Sequence, residues 1–236
     1  MPDHKDIYRS EADQYEYLVA CEDFQGNLLP TLQRILPLAG KEIVELGAGT
    51  GRLTCLLAPL AKSIRAYDIS QPMLDVAVLK LKDLGLSNWQ VEMADHRQLP
   101  AASQSADLAI SGWSICYLVD WNRSSWVSQV EQALGEMRRA LRSNGTIILI
   151  ETLGTGFETP HPPEHLLEYY QFLANQGFQS TWLRTDYRFP SEEEARRMAG
   201  FFFGSELAEK VHGPTIPECT GLWWRQGSTA LPLSPA

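Results

Sequence analysis

A glycine-rich turn lies between an apolar run and a helical pattern in KEIVELGAGTGRLTCLL, residues 41–57. Gly47, Gly49 and Gly51 occupy alternate positions, and Glu45 precedes the first of them by two residues. Glycine adopts positive φ at little cost and lets a ligand approach the backbone without meeting a Cβ atom. In open α/β folds, turns that follow a strand at the carboxyl edge of the sheet bind ligands. The spacing therefore predicts a ligand-binding loop.

The same spacing separates two classes of ligand. A dinucleotide-binding turn carries its third glycine one place later, where this chain has Arg52, and a phosphate-binding loop ends in Gly-Lys-Ser/Thr, which is absent here. The Glu45 carboxylate would in addition repel a pyrophosphate that approached it. Both features disfavour a nicotinamide-dependent oxidoreductase and favour a cationic ligand.

Short apolar strands alternate with amphipathic helices over residues 41–152, which is the pattern of a parallel sheet covered on both faces. The predicted strands are 42–46, 63–68, 89–94, 107–111 and 146–152. Because helices join consecutive strands, the crossovers should be right-handed and the sheet doubly wound. Outside this region the sequence predicts one or two helices within 13–36, a helix at 166–175, a strand at 180–189, a helix capped by Ser191 and a last strand in CTGLWWR.

Three segments of this region resemble motifs of the class I S-adenosylmethionine-dependent methyltransferases. VELGAGTGR is similar to their first motif, RAYDISQPML to the motif of the second strand, and VEMADHRQLP to that of the third. The resemblance implies an α/β, Rossmann-like, doubly wound, mostly parallel seven-stranded sheet with helices on both faces, an N-terminal helical cap and a C-terminal helical insertion. We expect one domain over 1–226, divided into a cap (1–40), a cofactor-binding core (41–152) and substrate-side elements (153–226), with a disordered tail at 227–236.

The resemblance also implies a cofactor, S-adenosylmethionine, with S-adenosylhomocysteine as its product. By this analogy Asp68 would hold the two ribose hydroxyls, and Asp95 would accept from the adenine amino group. The expected cofactor-binding residues are Tyr15, Glu45, Gly47, Ala48, Gly49, Gly51, Asp68, Ile69, Met73, Ala94, Asp95, His96 and Ser111. The residues alone also support Asp68, since an acid one βαβ unit after a glycine turn is placed for a ribose diol. A helix cap is the alternative role for this aspartate.

Methyl transfer from a sulfonium is an in-line displacement, to which a protein contributes mainly alignment at roughly 3 Å and exclusion of water. A general base is needed only when the acceptor must lose a proton. The candidate catalytic residues are His161, Tyr117 and His165, although both histidines also fit exposed loop positions, and many relatives carry a His near the place of Tyr117. The predicted substrate pocket comprises Tyr8, Trp113, Tyr117, Glu151 and Trp224. By analogy, Tyr8 and Tyr15 would close over the methionine end.

Composition argues against several kinds of partner. The chain has 236 residues and a formal net charge of −9 without a basic run, which disfavours nucleic acid because phosphate contacts call for clustered Lys and Arg. Its four cysteines lie far apart without metal-ligand spacing, so neither a metal site nor a disulfide framework is predicted. The sequence begins without a secretory signal and has no run of ~20 apolar residues, so we expect a cytoplasmic protein that does not bind membranes.

The segment SGWSICYL, after the fourth predicted strand, lacks the Asn/Asp-Pro-Pro-Tyr/Phe motif of relatives that methylate planar nitrogens. Together with the acidic charge, this favours a small-molecule acceptor methylated at oxygen, nitrogen or carbon, by a monomer or homodimer. Methylation of a protein and a non-catalytic scaffold that only binds the cofactor stay open as alternatives. Whether residues 190–212 form a substrate lid or a dimer contact stays open, and burial in the protein's own core is the default expectation for the apolar run at 201–203.

Overall fold

The computed structural model describes residues 4–227 of the chain. The strands are β1 (Glu42–Leu46), β2 (Ser63–Asp68), β3 (Trp89–Met93), β4 (Ala106–Gly112), β5 (Leu141–Thr155), β6 (Gln179–Arg184), β7 (Tyr187–Arg188), β8 (Thr215–Ile216) and β9 (Glu218–Gln226). The helices are α1 (His4–Ser10), α2 (Ala12–Ala20), α3 (Leu28–Ile35), α4 (Arg52–Leu57), α5 (Gln71–Asp83), α6 (Cys116–Trp121), α7 (Trp126–Ala140), α8 (Leu167–Asn175), α9 (Glu192–Phe202) and α10 (Ser205–Lys210), with a 3₁₀ turn at Glu164–Leu166.

Seven strands form the central sheet in the order β3-β2-β1-β4-β5-β9-β6. The pairs from β3 to β5 are parallel, whereas β9 runs antiparallel to both β5 and β6. The chain reverses direction of winding between β1 and β4, so their carboxyl ends flank a topological switch point. The predicted doubly wound, mostly parallel seven-stranded fold is confirmed.

Helices bury both faces of this sheet, as the apolar character of its strands requires. Neighbouring residues of a strand point to opposite faces, and β1 follows this rule: Ile43 packs with Leu32 of α3 and Leu57 of α4. Val44 packs instead in the cluster that contains Leu134 of α7. The loops at the carboxyl ends of the strands are therefore held on a rigid, two-sided core.

The elements outside the core differ in detail from the sequence-based prediction. Two helices, α2 and α3, occupy the region where one or two were predicted, and α1 precedes them as an additional helix. The strand predicted at 180–189 is divided into β6 and β7. Ser191 caps α9 as predicted, because its Oγ accepts from the Glu194 N–H at 3.2 Å. The run 201–203 packs against a buried cluster that includes Leu18 of α2 and Met198.

Two further predictions concern the ends of the chain and the membrane. The tail predicted to be disordered lies, beyond Gly227, outside the described residues. Within residues 4–227 no helix combines the length and the apolar character needed to cross a bilayer. The division into cap, core and substrate-side elements stays a prediction.

Candidate active site

A cleft of about 890 Å³ opens where β1, β2 and β4 end. The glycine turn after β1 forms one wall, and the residues after β2 and β4 form two others. Side chains of α1, α2 and the end of α9 lie across it, so elements that are far apart in sequence enclose one space. Its size suits a cofactor and a small second ligand.

The glycine turn leaves no room for side chains at two positions. Gly47 has a φ of +72°, and a Cβ atom there would lie 2.0 Å from Ser114 Oγ. Gly51 has a φ of +79°, and its Cβ would approach the Ala77 Cβ to 2.9 Å. Gly47 thus keeps the loop close to the segment after β4, whereas Gly51 lets α4 pack on α5.

Asp68 is tied to the glycine turn at the end of β2. Its Oδ2 accepts from the Gly49 N–H and its Oδ1 from the Ser70 N–H, both at 2.8 Å. A carboxylate has about four acceptor positions, so each oxygen keeps capacity for one more donor. Asp68 lines the cleft, where paired hydroxyls could take those positions.

Exposed apolar side chains flank Asp68. Ile69 and Met93 are 63% and 58% exposed, although both line the cleft, and Met73 lies buried beneath. Large apolar side chains left open inside a concave site are typical of surfaces that a flat apolar ligand covers. Met93 was not among the residues that the sequence singled out.

Asp95 is already engaged by a side chain that the sequence did not indicate. Arg97 donates from Nε to Asp95 Oδ1 at 2.7 Å, and its Nη2 pairs with Oδ2. These bonds lower the pKa of Asp95 to about 2. Any adenine contact of Asp95 must therefore share the carboxylate with Arg97. His96 lies beside it, 3.2 Å from Ser114 Oγ.

Glu45 lies beneath the glycine turn. Its carboxyl is 1% exposed and accepts from the Thr54 hydroxyl at 2.7 Å. Burial raises its pKa to about 8, so the group carries a proton at neutral pH. The argument that Glu45 repels a pyrophosphate therefore does not hold, and the glycine spacing alone distinguishes this turn from a dinucleotide loop.

An aromatic cluster closes the mouth of the cleft. Tyr8 of α1 donates its hydroxyl to the Tyr117 hydroxyl at 2.5 Å, and Tyr15 packs edge-on against Tyr8 at 5.3 Å. Phe202 at the end of α9 lies 5.5 Å from Tyr15. The backbone of Tyr8 is fixed as well, since its carbonyl accepts from Ser70 Oγ at 2.8 Å. The cap is thereby bonded directly to the cofactor side of the site.

The two candidate histidines occupy different environments. His165 lines the cleft, and its Nε2 lies 3.1 Å from Asp120 Oδ1 at the end of α6. His161 stacks on Phe157 at 4.1 Å and is not among the cleft residues. Of these two histidines, only His165 is therefore among the described residues that line the cleft together with Tyr117.

Most of the residues singled out from the sequence line the cleft. Those that do so are Tyr8, Tyr15, Glu45, Gly47, Ala48, Gly49, Asp68, Ile69, Met73, Asp95, His96, Trp113, Tyr117 and His165. The remaining ones, which are not among the lining residues, are Gly51, Ala94, Ser111, Glu151, His161 and Trp224.

Two of these excluded positions were predicted to touch substrate. Glu151 is fully buried and accepts from the Cys116 N–H and the Tyr169 hydroxyl. Trp224 lies beside the core cluster that contains Ile43, on the face away from its neighbour Trp223. Neither side chain belongs to the proposed pocket.

A polar recess at one end of the cleft contains residues that the sequence did not indicate. Arg52 Nη1 lies 2.5 Å from Glu22 Oε2, and the guanidinium lies over the Trp113 ring at 4.0 Å. Glu218 reaches the recess from β9 and accepts from the Thr152 hydroxyl. No local pattern connects these residues, since Glu22, Arg52 and Glu218 meet only in the folded chain.

Comparisons with known proteins agree with this fold. Residues 44–149 match the methyltransferase domain family. A demethylmenaquinone methyltransferase of Clavibacter sepedonicus is 27% identical over 158 residues, which cover 67% of this chain and 58% of that protein. An uncharacterized methyltransferase of Anoxybacillus flavithermus is 26% identical over 149 residues, which cover 63% of this chain and 58% of the relative.

A solved structure extends the likeness beyond the matched domain. A SAM-dependent methyltransferase from Aquifex aeolicus superposes with a TM-score of 0.57 at 15% identity, over 85% of this chain and 90% of that one. At this identity the likeness concerns the fold. The chain spans 58% of the length of each of the two curated relatives above.

Proposed function

We propose that this chain, whose residues 44–149 match the methyltransferase domain family, is a class I S-adenosylmethionine-dependent methyltransferase that transfers a methyl group to a small-molecule acceptor. The observation that carries the proposal is Asp68, held by the glycine turn and open toward the cleft. The acceptor class is supported by the enclosed, aromatic mouth, which would exclude a folded protein chain more readily than a small molecule.

The residues of the cleft fit S-adenosylmethionine. When bound, this cofactor supplies a methyl group on a sulfonium; a nucleophile would attack the methyl carbon in line with the carbon–sulfur bond, and S-adenosylhomocysteine would be the leaving group. Asp68 has acceptor positions for the ribose hydroxyls, and the exposed Ile69 and Met93 offer an apolar surface to adenine. Gly47 allows the glycine turn to pack directly against Ser114, another residue that lines the cleft.

The aromatic cap would align the reactants and exclude water. Burial raises the pKa of both Tyr8 and Tyr117 well above the ordinary value of a phenol. Both hydroxyls therefore stay protonated at neutral pH, and neither acts as a base. Tyr117 can instead orient an acceptor by hydrogen bonding, while exclusion of water favours a displacement in which charge is dispersed.

His165 is the residue placed to accept a proton from the acceptor. Asp120 Oδ1 lies 3.1 Å from Nε2 and favours the neutral tautomer with its proton on Nε2, which leaves Nδ1 as the proton acceptor. Such a base is required if the acceptor is a hydroxyl, since a hydroxyl must lose its proton to become a good nucleophile. We therefore favour oxygen as the methylated atom.

Calorimetric titration with S-adenosylmethionine and S-adenosylhomocysteine tests the cofactor assignment. Asp68→Ala should abolish micromolar binding because it removes the acceptors for the ribose hydroxyls and the anchor of the Gly49 N–H. Asp75→Ala is the matched control, since this exposed aspartate lies on α5 outside the cleft. NAD should not bind to any of the three proteins.

The outcomes separate the alternatives. A folded wild-type protein that binds neither sulfur compound would refute the proposed function and favour the scaffold interpretation. Binding that survives Asp68→Ala would place the cofactor elsewhere. If both compounds bind, a screen of hydroxyl-bearing small molecules for S-adenosylhomocysteine release follows, and activity only on a protein substrate would overturn the acceptor class.

A further inference from the structure

Arg52 lines the cleft, and only one of its two terminal guanidinium nitrogens pairs with another described residue. It follows the glycine turn as the first residue of α4, and its Nη1 is paired with Glu22. Its Nη2 is buried and, within the described part of the chain, has no hydrogen-bond partner. A buried donor without a partner costs roughly 1–3 kcal/mol, more when it is charged. A ligand that pairs with Nη2 would recover this cost.

A second side chain without a hydrogen-bond partner among the described residues lies two positions before Arg52 in the chain. Thr50 is 1% exposed, lines the cleft, and its Oγ1 likewise has no partner among residues 4–227. A guanidinium N–H and a hydroxyl are both donors, and together they suit an oxyanion. Because Arg52 is planar, it can serve Glu22 with one nitrogen and a second carboxylate with the other.

The recess carries no net negative charge that would repel an anion. Glu218 lies in the same recess, but burial raises its pKa to about 8, so at neutral pH it adds no negative charge. The Glu22 carboxylate is matched by Arg52 itself. A ligand carboxylate would therefore meet one shared cation and a neutral carboxyl group that can donate a hydrogen bond.

The position of the recess relative to Asp68 indicates which end of S-adenosylmethionine would lie in the recess. Gly49 bonds Asp68, which we assign to the ribose, and Thr50 and Arg52 follow one and three residues later along the same turn. The other basic residues of the cleft are engaged differently: Arg97 is bonded to Asp95, and Arg9 is 77% exposed and paired with Asp6. Lys5 lies over the Trp121 ring at the mouth.

We propose that Arg52 binds the methionine carboxylate of S-adenosylmethionine through Nη2, with the Thr50 hydroxyl as second donor. The proposal rests on the proposed function and adds to it a residue for the amino-acid end of the cofactor. Glu22 and the Trp113 ring act as positioning groups, because they hold the guanidinium from two sides. Glu22 lies two residues after the end of α2, so its ion pair with Arg52 connects this helix to the bound cofactor.

Binding calorimetry on three ligands tests this assignment without any turnover. S-Adenosylhomocysteine carries the carboxylate, its decarboxylated analogue lacks only that group, and 5′-methylthioadenosine lacks the whole amino-acid end. The wild-type protein should bind S-adenosylhomocysteine at least about tenfold more tightly than the decarboxylated analogue, equivalent to about 1.4 kcal/mol. Arg52→Gln should remove this discrimination and leave the affinity for 5′-methylthioadenosine unchanged.

Arg142→Gln is the matched control, since Arg142 pairs with Glu42 and Asp107 outside the cleft. It should leave the affinities for all three ligands unchanged. If Arg52→Gln does not fold, Arg52→Lys is the variant that tests the assignment. Its single ammonium group cannot present two parallel donors to two carboxylates. That variant should lower the discrimination at least about threefold.

Each remaining outcome overturns the proposal. Unchanged discrimination in the Arg52 variants would mean that Arg52 has a structural role or binds the acceptor. An equal loss of affinity for all three ligands would mean that it only supports the glycine turn. A wild-type protein that binds S-adenosylhomocysteine without discrimination refutes the carboxylate site alone, whereas one that binds none of the three refutes the proposed function as well.

Discussion

Gly47→Ala isolates the close approach between the glycine turn and the segment after β4. Two costs combine at this position. A φ of +72° places alanine in the left-handed region, which costs about 1 kcal/mol. In addition, the new Cβ would lie 2.0 Å from Ser114 Oγ and 2.3 Å from Ser114 Cβ, and overpacking of this kind costs about 1–3 kcal/mol. The free energy of unfolding should therefore fall by about 2–4 kcal/mol.

Gly40→Ala provides the control for the backbone cost. Gly40 has a φ of +71°, and a Cβ atom added there would have no neighbour within 4 Å. This variant should lose only about 1 kcal/mol. Urea denaturation with linear extrapolation measures both values. The affinity for S-adenosylhomocysteine should fall in Gly47→Ala and stay unchanged in Gly40→Ala.

A double-mutant cycle with Ser114→Gly tests the clash itself. Removing the Ser114 side chain takes away the two atoms that the new Cβ would meet most closely and leaves His96 Nε2 at 3.2 Å, so Gly47→Ala should cost about 1 kcal/mol in that background. The refuting result is a Gly47→Ala variant as stable as Gly40→Ala, with no coupling to position 114. It would mean that the turn and the segment after β4 are not in contact in solution.

Three further predictions follow from the site. Once an acceptor is identified, His165→Gln should lower kcat roughly 10²–10⁴-fold; an unaltered kcat would exclude it as the base. Tyr8→Phe removes the donor to Tyr117 and should accelerate hydrogen exchange in α1, and unaltered exchange would show that this bond does not hold the cap. Burial raises the pKa of Glu151 from 4.5 to about 7, so the contribution of this group to stability is present below pH 4.5 and is lost as the pH rises through 7. Glu151→Gln should therefore flatten the decline of the free energy of unfolding between these two pH values, as measured by urea denaturation. An unchanged slope would contradict the raised pKa.

Local patterns in the sequence were sufficient to predict the sheet core. The predicted limits of β1 and β2 match the structure, those of β3 differ by one residue at one end, and those of β4 differ by one residue at each end. β1 and β4 are buried along most of their length and read as apolar runs between turn residues, whereas β3 lies at the edge of the sheet and is largely exposed. β5 extends beyond its predicted limits because its ends pair with β4 and β9. This pairing with distant strands cannot be predicted from the local sequence pattern.

The sequence by itself determined the glycine turn and the acid after β2, because both lie within single loops whose residue types follow from local backbone geometry. Only the tertiary structure decided which distant groups complete the site. Tyr8 meets Tyr117 across 109 positions and Arg52 meets Glu22 across 30. His165 reaches Asp120 in the same way. Apolar periodicity reports which face of an element is buried, whereas the partner that covers it depends on packing of the whole chain.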